Sequence, residues 1–154
     1  MRPASGGIGR AAAIECAGRG ARIGVHYHGN LARAEATLAA LAGDGHSLFQ
    51  CDITDPQAAA ALIEDAEQTF GGLDVLVNNA GILSNNKAVQ TTPEEWRRLM
   101  SVNLDGAFYL SSGLLPAMRE CGWGRIVNIC SLAMKTGGST AGTAYTTSKG
   151  AVLS

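Results

Sequence analysis

Short apolar runs, each bounded by turn residues, alternate along this chain with longer stretches of helical periodicity, and that alternation leaves few folds open. Gly7 to Arg19 reads as a helix with Ile8, Ala11, Ala12 and Cys16 on one stripe, ended by Gly20. Arg22 to Tyr27 reads as a short strand, and Asn30 as the cap of a second helix to about Ala42, with Leu31, Leu38 and Leu41 inward. A strand at Ser47 to Cys51 precedes Asp55-Pro56, which opens a third helix running to Phe70 before Gly71-Gly72. Leu73 to Asn78 and Arg125 to Cys130 are apolar runs of the kind covered on both faces in a parallel sheet. Between them Thr92-Pro93-Glu94-Glu95 starts a long helical region, continuous or with an interruption, that reaches about Glu120, and Thr143 to Ser154 is again helical. The order of elements predicts an α/β doubly wound parallel sheet in a single domain that is incomplete: a glycine-rich loop and helix come first, with no strand before them.

Composition removes several classes of function. The chain has 154 residues, 46% hydrophobic and 16% charged, with a net charge of −1, so no broad nucleic-acid footprint is expected. No apolar run approaches the roughly 20 residues of a membrane-spanning helix, and Met1 to Gly7 lacks the apolar stretch of a signal peptide, so a cytoplasmic setting is expected. The cysteines Cys16, Cys51, Cys121 and Cys130 show no paired spacing, and no metal site is expected.

Three constellations carry chemistry. Ser5-Gly6-Gly7-Ile8-Gly9-Arg10 leads into the first helix, where glycines let backbone approach a pyrophosphate favoured by the helix N-terminus; a plain turn has the same composition. Asn78-Asn79-Ala80-Gly81 follows a buried strand, where ligands of open parallel sheets sit, although an Asx turn would use the same residues. Ser131 follows the strand ending at Cys130, and Tyr145 and Lys149 lie four apart, on one face of a helix. An ammonium beside a phenol favours the phenolate, and a nearby hydroxyl can donate to a carbonyl; two surface residues at this spacing are common on their own.

In this order and spacing the motifs resemble the short-chain dehydrogenase/reductase family, in its compact branch, from Ala4 to Ser154. Gly7 and Gly9 match the last two glycines of the family's T-G-x-x-x-G-x-G, Asn78 to Gly81 its N-N-A-G, Asp52 its aspartate before the third crossover helix, and Asn103 its N-V-N-L-like asparagine. Ser131, Tyr145 and Lys149 match its serine and Y-x-x-x-K. The resemblance implies hydride transfer between a nicotinamide and a carbonyl or alcohol substrate, aligned by the protein. Tyr145 would be the general acid/base. Lys149 would hold the nicotinamide ribose and support Tyr145, Ser131 would polarise the carbonyl, and Asn103 would anchor a water-linked relay to Lys149, its alternative being a helix-kink amide. Ser5, Gly7, Ile8 and Gly9 would meet the pyrophosphate, Asp52 with Ile53 the adenine, and Asn79, Ala80 and Gly81 the adenosine side.

The stretch Val25-His26-Tyr27-His28-Gly29-Asn30 lacks the acid of NAD-preferring relatives, which favours NADP, with His28 and Asn30 as phosphate contacts; the absence of a basic residue at Gly6 speaks for NAD. Arg2 and Pro3 stand where the motif has Thr and its first Gly, and the sequence stops five residues after Lys149. The chain is therefore expected to be a fragment, inactive alone, whose strands at Arg22 to Tyr27 and at Leu73 to Asn78 lose their shared neighbour. The segments Gly124 to Ile129 and Ala144 to Lys149 resemble 3-oxoacyl-carrier-protein reductases and sugar dehydrogenases, and a full-length version is expected to be a homo-oligomer. Competing readings are an extended-branch epimerase or dehydratase, against which Gly7/Gly9 and Asn78 to Gly81 speak, and a non-catalytic dinucleotide-binding module.

Overall fold

The computed structural model describes residues 7–139 and 141–154; Ser5, like Arg2 and Pro3, lies outside them. The elements are α1 (Ile8–Gly18), β1 (Gly24–Tyr27), α2 (Leu31–Leu38), β2 (Ser47–Gln50), α3 (Pro56–Phe70), β3 (Val75–Asn78), α4 (Pro93–Met100), α5 (Gly106–Glu120), β4 (Arg125–Asn128) and α6 (Thr143–Ala151). All strand pairing among the described residues is parallel, giving an α/β fold of the doubly wound, Rossmann-like kind. β1 pairs with β2 and β3 with β4, and no ladder joins β1 to β3 among the described residues, so the sheet stands as two pairs.

Local chemistry explains the helix ends. Asp55 Oδ1 accepts the Gln57 and Ala58 N–H groups, Pro56 occupies the first turn of α3, and Gly71 closes the helix in the left-handed region at φ +75°. Thr92 caps α4 through the Glu95 N–H, and Asn30 caps α2 through that of Arg33. α3 and α5 pack on each other over one face of the sheet. Their contact buries Ile53, Ile63, Leu110 and Leu114, each worth roughly 2 kcal/mol when taken from water. A smaller cluster joins Phe49 to Phe70, edge to face at 5.9 Å between ring centres.

Three expectations about buried faces need correction. β3 and β4 are covered on one face only: Leu76 and Ile126 pack toward α3 and α5, whereas Val75, Val77 and Val127 remain 50%, 40% and 43% exposed. Side chains alternate along a strand, so a continuous apolar run is buried on both sides only when a layer covers each. On α1 the inward residue is Ala17, while Ile8 and Cys16 are exposed; the small residues Gly9 and Ala13 precede it at i−8 and i−4, a spacing that lets the helix lie close. On α2 the buried residues are Ala34 and Thr37, and Leu31 is exposed, because the helix ends at Leu38 and its contact with β1 and β2 falls on the small side chains.

Candidate active site

β3 and β4 end in register at Asn78 and Asn128, and the Ile129 N–H donates to the Asn78 carbonyl at 3.0 Å. The segments that leave these strands therefore run side by side beyond the carboxyl ends, and α6 lies across them. A cavity of about 100 Å3 opens there, lined by Ile8, Asn79, Gly81, Ile129, Cys130, Tyr145 and Lys149. Five expected residues meet in it: Ile8, Asn79, Gly81, Tyr145 and Lys149.

Lys149 is 5% exposed, and its Nζ donates to the Ile129 carbonyl at 2.9 Å. Burial pushes its ammonium below the ordinary lysine range, with Cys130 opposing the shift. A β-carbon on Gly81 would lie 3.3 Å from that Nζ and 3.2 Å from Asn103 Oδ1, so only glycine leaves both groups undisturbed here. Ser131 follows Cys130 but is not part of the cavity wall. Its Oγ accepts the Ala133 N–H at 3.2 Å, capping the short 3-10 helix Leu132–Met134 and leaving the hydroxyl proton free to donate.

Asn103 sits in a π-helical turn, Ser101–Asp105, between α4 and α5, and is 2% exposed. Its Oδ1 accepts the Ile82 N–H at 2.8 Å; its Nδ2 donates to the Ile82 carbonyl at 3.0 Å and to Ser148 Oγ at 2.9 Å. Ser148 Oγ in turn donates to the Tyr145 carbonyl at 2.8 Å. The amide thus ties the loop after Gly81 to α6. Both of its donors and its oxygen are engaged with protein, as the kink-amide alternative requires.

A family model described as short chain dehydrogenase matches residues 3–154. The chain belongs to the short-chain dehydrogenase family. Among its relatives, a short-chain type dehydrogenase/reductase of Picea abies is 38% identical over 97% of this chain and 58% of that protein. A 3-oxoacyl-(acyl-carrier-protein) reductase of Haemophilus influenzae is 37% identical over 85% of the chain and 53% of its own length. An acetoacetyl-CoA reductase of Rhizobium meliloti is 36% identical over 83% and 52%. The solved structure of a short-chain dehydrogenase from Streptomyces avermitilis superposes with a TM-score of 0.86 at 33% identity, over 97% of this chain and 54% of that one. The chain spans about half the length of the relatives it matches.

The remaining expected residues of this short-chain dehydrogenase chain fall into two groups. Near the cavity, Gly9 of α1 packs on Asn79 so closely that a β-carbon would stand 2.5 Å from Asn79 Nδ2, while among the described residues nothing crowds Gly7 and no side chain caps α1. A dinucleotide's pyrophosphate fits such an uncapped, glycine-lined helix start. Ala80 is half-buried against the core. At the ends of β1 and β2, Asp52 Oδ1 accepts from the Thr54 N–H and hydroxyl, which hold its carboxyl below the usual range. Exposed His28 stands with Nδ1 3.9 Å from Asp52 Oδ1. Ile53 is 6% exposed and packs on Gly106, so its side chain belongs to the core. Asn30 spends its side-chain oxygen on the cap of α2.

Two residues escaped the sequence reading. Cys130 reads as a strand hydrophobe, but β4 ends at Asn128 and Cys130 lines the cavity. Ser148 sits inside the Tyr-x-x-x-Lys spacing, where nothing in the sequence marks a hydroxyl as buried at 0% exposure.

Proposed function

We propose that the complete gene product is a nicotinamide-dependent reductase of 3-oxoacyl thioesters, with NADPH as the favoured reductant. The observation that carries this reading is the meeting of Tyr145 and Lys149 with Asn79 and Gly81 around one cavity beyond the carboxyl ends of β3 and β4. The names of two relatives, which reduce 3-oxoacyl and acetoacetyl thioesters, support the substrate class. The absence of an acidic residue from His26 to Asn30 supports NADPH, and His28 at the surface is the side chain there that could meet a 2′-phosphate.

A nicotinamide held by these residues would supply the hydride for the carbonyl carbon. Tyr145 delivers the phenolic proton to the carbonyl oxygen, which becomes the hydroxyl of the product. Lys149, desolvated and anchored on Ile129, holds the cofactor ribose and stabilises the phenolate left on Tyr145. Ser131 donates its free hydroxyl proton to the carbonyl oxygen and fixes its direction. Asn103 keeps α6 and the loop after Gly81 in register. Asn79 and Gly9 hold the dinucleotide against α1.

The test is reduction of acetoacetyl-CoA by the complete polypeptide, followed as loss of reduced-nicotinamide absorbance, with NADPH and NADH compared. Turnover with a lower KM for NADPH is the expected result. Binding of neither nucleotide would sink the reading; binding without turnover on 3-oxoacyl thioesters would sink the substrate class alone.

A further inference from the structure

α6 carries both Tyr145 and Lys149, yet among the described residues no side chain caps its N-terminus. Its leading N–H groups are taken instead by a distant loop. The Gly142 N–H donates to the Ser84 carbonyl at 2.8 Å and the Thr143 N–H to the Asn86 carbonyl at 3.0 Å. The fit leaves no slack: a β-carbon on Gly142 would stand 2.7 Å from the Ser84 oxygen and 2.6 Å from that of Asn86. The same two residues are gripped through their side chains by one carboxylate. Glu95 Oε1 accepts the hydroxyl of Ser84, which is 5% exposed, and Glu95 Oε2 accepts Asn86 Nδ2 at 2.8 Å. Glu95 is itself held in the first turn of α4 by the Thr92 cap. Lys87 completes the strap, its Nζ donating to the carbonyls of Gly138 at 2.7 Å and Ala141 at 2.9 Å, just ahead of α6.

We propose that Glu95 is a positioning residue for the Tyr145/Lys149 pair, acting through the carbonyls of Ser84 and Asn86 that seat the start of α6. An unpaired backbone N–H must find an acceptor or lose free energy, and here the acceptors are held by one ion on another helix. Tyr145 lies two residues past Thr143, within the first turn, so a slip of the seat moves the phenol before it moves the middle of the helix. Lys149, one turn further on, is tethered separately through Ile129 and through Ser148 to Asn103. Loss of the clamp therefore acts on proton delivery more than on cofactor holding. The inference rests on the proposed roles of Tyr145 and Lys149.

The test compares Glu95→Ala with Glu95→Gln in the complete polypeptide. Glutamine keeps one acceptor for Ser84, and a flip of the Asn86 amide restores the second bond. Amide exchange at Gly142 and Thr143 is expected to speed up about tenfold or more in Glu95→Ala and to stay near wild type in Glu95→Gln. With it, kcat falls about tenfold or more in the alanine variant, while cofactor Kd stays within about twofold, and glutamine restores kcat. Unchanged exchange in Glu95→Ala overturns the clamp, and faster exchange with unchanged kcat overturns its positioning role. Should Glu95→Ala fail to fold, Ser84→Ala is read by the same two measurements. Exchange is independent of turnover, so a wild-type polypeptide without reductase activity sinks the functional reading while the clamp is judged on exchange.

Discussion

At the scale of single residues, Tyr145 and the buried Lys149 line one cavity, and the proposed function assigns the phenol the proton transfer. Replacing Tyr145 by Phe removes the transferable proton and little else, since no side-chain hydrogen bond of the fold runs through the hydroxyl among the described residues. Turnover is expected to fall by about 10² to 10⁴, the usual worth of a positioned acid/base, with nucleotide affinity nearly intact by titration. Both residues were legible in the sequence because their spacing of four is a helical property. The cap of α2 by Asn30 was legible too, but the packing of Ile53 was not: which way that side chain turns depends on Gly106, supplied by a distant segment.

At the scale of elements, the clearest sequence signals were helix ends. Asp55-Pro56 and Gly71 bracket α3 as expected, because caps are chosen by chemistry within a few residues of the backbone groups they satisfy. Asp55→Ala leaves two N–H groups without that acceptor and is expected to cost about 1 kcal/mol of stability, read by urea denaturation. The long region from Thr92 to Glu120 shows where local signals end. Its interruption is the π turn at Ser101–Asp105, and the reason for that turn is tertiary: it carries Asn103 to Ile82 and Ser148, segments 21 and 45 residues away.

At the scale of the molecule, the α3–α5 contact is the main source of cohesion. Leu114 is 0% exposed at its centre, so Leu114→Ala is expected to cost about 2–5 kcal/mol and to lower the melting temperature accordingly. The pH dependence of folding has a separate origin, at the ends of β1 and β2. Burial holds His26 below its ordinary value of 6.5, outweighing its bond to the Cys51 carbonyl. Between that lowered value and 6.5 the unfolded chain binds more protons than the folded one, so stability rises with pH across this window and is fully present above it. Melts between about pH 5 and about pH 7.5 should show that slope, and His26→Gln should flatten it. Asp52 and Glu95, whose carboxyls are also held low, act further toward acid.

The family was legible as a resemblance of motifs spread along the chain, whereas the parallel α/β order rests on periodicity and the shared helix face of Tyr145 and Lys149 on a spacing of four. Tertiary structure decided the rest: which face of β3 and β4 meets a helix, that Asn103 spends its amide on Ile82 and Ser148, and that α6 is seated by carbonyls from the loop at Ser84 and Asn86. Those outcomes turn on contacts between segments tens of residues apart, whose free energy depends on where the whole chain has placed them.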